Sequence, residues 1–133
     1  MRVRLGFFES FKSADTLLMA GDAAGLDGLA RELQRLADGG AASIAVHALP
    51  FVAGHHGVRL FADRGPCDLG VSQQAPMCFR WALSFAAWTD LVPLFEPLVQ
   101  DQASGHQYLD ERATVRVMVS RGEYGDDWWA VHG

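Results

Sequence analysis

Two halves of this chain carry the same order of patterns, strand, strand, helix, strand, strand, and that order constrains the fold more than any other feature. Leu5-Gly6-Phe7 returns as Leu69-Gly70-Val71, and Val58-Arg59-Leu60 returns as Val115-Arg116-Val117. Between them the stripe Leu26, Leu29, Ala30, Leu33 and Leu36 returns as Trp88, Leu91, Val92, Phe95 and Leu98. Identities are few and the separation between matching segments drifts, so the likeness is one of pattern. It predicts half-repeats over 1–66 and 67–121 and a tail over 122–133, all within a single domain spanning 1–133. A chain of this length buries roughly two thirds of its unfolded surface without needing disulfides or metals.

Val3, Leu5 and Phe7 alternate with Arg2, Arg4 and Gly6, the period of a strand with one buried face. Thr16 to Ala20 is a second apolar run placed to pair with it. Asp22 then offers an N-cap for a helix reaching about Ala37, and Gly39-Gly40 supplies the residues that close helices. Ser43 to Leu49 and Gly57 to Asp63 read as strands joined by Pro50 to His56. In the second half Asp68 to Ser72 and Cys78 to Ser84 read as strands, followed by a helix over about Ala86 to Asp101. Pro93 and Pro97 require that helix to start late or to kink, because proline lacks the backbone donor. Strands follow at His106 to Leu109 and Thr114 to Arg121. The expected fold class is α+β, with two helices on one face of a mostly antiparallel sheet and the other face open.

The net charge of −5, from 16 acidic and 11 basic residues, disfavours nonspecific binding to nucleic acid or anionic membrane. All basic residues but Lys12 are arginine, which together with abundant Ala and Gly suggests a GC-rich, bacterial genome. The opening Met1 to Phe8 lacks the apolar core of a secretory signal, and no run approaches the about 20 apolar residues of a membrane span, so the expected compartment is the cytoplasm. Cys67 and Cys78 are read there as inert thiols.

Two constellations offer binding surfaces. The tail gathers Tyr124, Asp126, Asp127, Trp128 and Trp129, aromatic groups of the kind that anchor interfaces, beside carboxylates. The bland reading is that one tryptophan tucks the tail against the core. On the expected open sheet face Arg4, Arg59, Arg80 and Arg116 each oppose the buried set of their strand, with His47 a further member. Arginine forks suit anionic groups. The bland reading is cross-strand pairing with Asp and Glu.

The five histidines lack metal-ligand spacing, and no nucleophile elbow, phosphate-cradling loop or cofactor motif is present, so neither a metal nor a cofactor is expected. The expectation is a binding module, not an enzyme: a regulator, adaptor or immunity-like protein whose partner is another protein or a second copy of itself. The competing expectation is a small-ligand receptor or enzyme with a pocket between the halves using His106, Asp110 and Glu123. His106 and Asp110 would stand about 13 Å apart along one strand.

Overall fold

In the computed structural model, which describes residues 1–132, the first alternating segment is extended and reverses where Lys12 and Ser13 both take positive φ, 47° and 72°. Positive φ at both central residues gives a two-residue turn the twist that flanking strands need. The strands so joined are β1 (Val3–Phe11) and β2 (Ala14–Gly21), antiparallel with Leu5 opposite Met19. Asp22 caps α1 (Ala23–Asp38), accepting the Gly25 N–H at 2.6 Å, and Gly39 at φ 86° ends it, as the pattern predicts. Then come β3 (Ser43–Ala45), a 3-10 turn over Val46–Ala48, β4 (Val52–Gly54) and β5 (Arg59–Arg64).

The second half contains β6 (Gly70–Ala75), β7 (Cys78–Leu83), α2 (Phe85–Leu91), a 3-10 run over Val92–Leu98, β8 (Gly105–Asp110) and β9 (Val115–Arg121). The second helix neither starts late nor kinks. It ends at Leu91, and both prolines fall in the tighter 3-10 run. The tail is a third helix, α3 (Asp126–His132).

The strands form two sheets. The first has the order β4-β1-β2-β9-β8 and the second β3-β5-β7-β6. β1 with β4, β2 with β9 and β5 with β7 are parallel, and the other pairs are antiparallel. Thr16 stands beside Arg116 in the first sheet, and Cys78 beside Arg59 in the second. The α+β class therefore holds, but one mostly antiparallel sheet with two helices is replaced by two mixed sheets with three. Two of the three parallel pairs, β2 with β9 and β5 with β7, arise because each hairpin of one half lies against the last strand of the other, a pairing that local patterns do not encode.

One continuous core joins Leu17, Met19, Val117 and Val119 of the first sheet, Leu60, Phe79 and Trp81 of the second, and the stripes of α1 and α2. Trp81 and Trp88 meet edge to face at 4.8 Å, and the Trp88 indole N–H donates to the Asp63 carbonyl at 3.0 Å. A separate cluster of Leu18, Ala20, Met118 and Trp129 fills the opposite face of the first sheet. That face is therefore covered, contrary to the expectation of an open sheet. Consecutive burial from Thr16 to Ala20 and from Val115 to Ser120 is the mark of strands enclosed on both sides. No helix is long and apolar enough to cross a membrane among the described residues.

Candidate functional site

Trp129 is the plug of the third helix. Its side chain is 2% exposed and lies over Gly6, where an added Cβ would come within 2.9 Å of the indole. Trp128 is half-buried among Phe8, Phe11 and Tyr124 and stacks on His132 at 4.5 Å. Asp126, with its side chain 81% exposed, reaches back to Arg4 at 2.5 Å and Arg2 at 3.8 Å. The Arg4 guanidinium sits 6.0 Å from the Trp129 ring centre. These contacts fasten the tail to the sheet, so most of its aromatic surface faces inward. Asp127 is exposed and Tyr124 half-buried.

The four arginines do not form one row. Arg4 and Arg116 belong to the first sheet and Arg59 and Arg80 to the second. Arg116 is only 8% exposed. Its guanidinium donates to the Phe11 carbonyl at 2.6 Å, the Lys12 carbonyl at 3.2 Å and Thr16 Oγ1 at 3.2 Å, and it lies 4.7 Å from the Tyr108 ring centre. It holds the β1–β2 turn. Arg80 pairs with Asp63 at 2.5 Å, and Asp63 also accepts from Ser43 Oγ, whereas Arg59 is exposed. His47 stands in the 3-10 turn, where its Nδ1 accepts the Leu60 N–H at 3.0 Å.

His106 and Asp110 do not act together. Asp110 is buried, accepts the Trp81 indole N–H at 2.7 Å and pairs with Arg112 at 3.2 Å. His106 Nδ1 instead meets both Glu123 oxygens at 3.0 and 3.1 Å, and Ser120 Oγ donates to Glu123 at 2.7 Å. Burial alone would raise the Glu123 pKa, but the bonds from Ser120 and His106 hold it below its ordinary value. The carboxylate stands between serine and histidine. A nucleophilic serine needs the histidine in that place, and Ser120 is fully buried, so the trio is built to anchor the turn after β9.

A largely apolar groove of about 500 Å³ lies elsewhere, between the β1–β2 and β6–β7 hairpins. Phe7, Phe8 and Glu9 of β1 form one wall, Gln73, Pro76 and Met77 the other, and His56 closes one end. Phe7 reaches across the seam to Phe79, ring centres 4.6 Å apart. Met77 turns the hairpin at φ 58°, a left-handed conformation that asparagine or glycine adopts at less cost. Sequence reasoning passed over these residues. Two signals pointed to them: the Phe7-Phe8 pair breaks the strand alternation by placing a ring on each face, and Met77 puts an apolar side chain where a turn favours a small polar one.

Among the described residues, no group of three or more His, Cys, Asp or Glu side chains is placed to hold a metal ion. Compared with known protein families, with curated proteins and with solved structures, the chain matches none.

Proposed function

We propose that this protein acts by binding another macromolecule, most simply a protein, through the groove between its two hairpins. The observation that carries this reading is the groove itself, walled by half-buried Phe7, Phe8 and Met77 with exposed polar residues around them. Partly exposed apolar side chains lining a groove between hairpins are what a partner's side chains displace water from. The tail residues contribute by holding the floor of this region, since Trp128 and Trp129 both pack on Phe8. Arg59, Arg80 and Asp127 remain accessible for a partner that extends beyond the groove.

The position of the groove fits a chain made of two ββαββ copies over 1–66 and 67–121. In support, β1-β2-β9-β8 and β6-β7-β5-β3 follow the same succession of antiparallel, parallel and antiparallel pairs, and Thr16 beside Arg116 answers to Cys78 beside Arg59. The groove then lies between two equivalent hairpins, which is where a duplicated fold offers a surface that neither copy has alone.

The test is capture from cells of the source organism with tagged wild type beside Met77→Gly. Glycine suits the positive φ of that position and removes the side chain that walls the groove. A specific protein held by the wild type and lost by the variant supports the reading. A partner held equally by both moves the site away from the groove, and the absence of any specific partner sinks the reading.

A further inference from the structure

The ladder on the free side of β1 stops before the strand does. Val3 donates to the Phe51 carbonyl at 2.8 Å, and the Leu5 carbonyl accepts from His55 at 2.9 Å. β4 pairs with β1 only over Val3 to Leu5. Beyond that point His56 and Gly57 take φ of 55° and 71°, and the His55 carbonyl accepts the Val58 N–H at 3.1 Å, so a tight turn carries the chain off to the second sheet. Up to Phe8, after which the register with β2 shifts, the backbone groups of odd residues face the β4 side and those of even ones face β2, since Arg2 accepts from Asp22 across that pair. Phe7 therefore directs its backbone N–H and C=O, and Glu9 its N–H, toward a side where no strand pairs with β1 among the described residues. That edge borders the apolar groove.

A strand edge and an apolar groove in one place make the arrangement by which extended peptides add to sheets, with main-chain bonds giving affinity and the groove selecting side chains. Glu9 is the one acidic residue on the wall, and it is exposed. We infer that β1 at Phe7 and Glu9 takes an extended segment of a partner protein, which continues the ladder where β4 leaves it. One apolar side chain of that segment enters the groove beside Met77, and a lysine or arginine lies next to Glu9. The net charge of −5 also favours a basic segment. This rests on the reading of the protein as a binding module and adds the site, backbone form and charge of what it binds.

The probe is a displayed library of random dodecapeptides selected on the wild-type protein, followed by amide hydrogen exchange with the recovered peptides. The expected result is enrichment of alternating apolar residues with Lys or Arg, and slowed exchange at the Phe7 and Glu9 amides. Glu9→Lys is expected to weaken those peptides about fivefold or more and to shift a repeat selection toward Asp and Glu. Met77→Gly is expected to weaken them roughly tenfold. Recovered peptides that leave both amides unprotected, or that ignore Glu9→Lys, overturn the inference. So does protection of these amides in the protein alone through self-association, which would assign the edge to a second copy. If no peptide is recovered while the cellular partner is still lost in Met77→Gly, the extended-segment inference falls and the binding-module reading stands. If both experiments are empty, both fall.

Discussion

The Trp81 indole donates to Asp110 Oδ2 at 2.7 Å, a buried bond that ties the second sheet to β8 of the first. Asp110 also accepts the Arg112 backbone N–H at 2.9 Å and its guanidinium at 3.2 Å, so the carboxylate is fully engaged in structure. Asp110→Ala leaves a buried indole N–H unpaired and is expected to cost about 3 kcal/mol. Asp110→Asn keeps an acceptor in place and is expected to cost about 1 kcal/mol. Urea unfolding at neutral pH measures both, and an alanine variant as stable as wild type would show that the bond contributes nothing.

Gly25 sets helix propensity against packing. An alanine in a helix interior gains about 1 kcal/mol over glycine. Here the new Cβ would stand 2.3 Å from the Arg2 carbonyl oxygen and 2.8 Å from the Arg2 nitrogen, both backbone atoms that cannot move aside without shifting β1. Overpacking of this kind costs about 1–3 kcal/mol, so Gly25→Ala is expected to lower stability. A raised melting temperature would mean that the N-terminal strand yields more readily than its hydrogen bonds suggest.

Adjacent tryptophans in the tail are expected to differ sharply. Trp129→Ala opens the buried cluster with Leu18 and Met118 and is expected to cost about 3–5 kcal/mol. Trp128→Ala removes a half-buried ring and is expected to cost about 1–2 kcal/mol. Thermal unfolding, with amide exchange across Asp126 to His132, separates detachment of the third helix from global loss. Equal effects would contradict the placement of the two rings.

Lowered pKa values give stability a stepwise dependence on pH. Burial first, then the positive charges of Arg4, His56 and Arg2, place the His55 pKa below its ordinary 6.5. Burial would raise Asp22, but hydrogen bonds from Gly25 and Arg2 and the chain terminus lower it below 3.8, and Glu123 lies below 4.5 for the reasons given above. In each case the unfolded chain takes up its proton at a higher pH than the folded one. The stabilisation is therefore complete above the unfolded value and is lost as pH falls through the folded one. A denaturation series should show one decline starting near pH 6.5 and a second starting near pH 4.5. His55→Asn should flatten the first and leave the second, and a decline near pH 6.5 that survives this substitution would place its origin elsewhere.

Much of the local structure was legible in the chain. Alternation marked β1, Asp22 and Gly39 marked the ends of α1, and the apolar runs marked β2 and β9, because each signal depends on neighbours a few residues away. The tail was read through its side chains, and its helix escaped notice because seven residues are too few for a periodic stripe to stand out. Of the candidate sites, His106 and Glu123 do meet, but Asp110 was drawn to Trp81 from 29 residues away.

What the sequence alone determined was the α+β class and the order of most elements, with β4 and the third helix the exceptions. Only the tertiary structure decided that the hairpins pair with strands from the opposite half and that the last helix covers one sheet. It also decided that β1 keeps an unpaired edge beside an apolar groove. Propensity and periodicity act over one or two turns of chain, whereas strand partners are selected by how buried faces fit across the whole domain. The four arginines show this most plainly. Each was expected opposite its strand's buried set, yet they ended in two sheets, Arg116 nearly buried beneath a tyrosine in a strand enclosed on both sides, and Arg4 and Arg80 each paired with an aspartate.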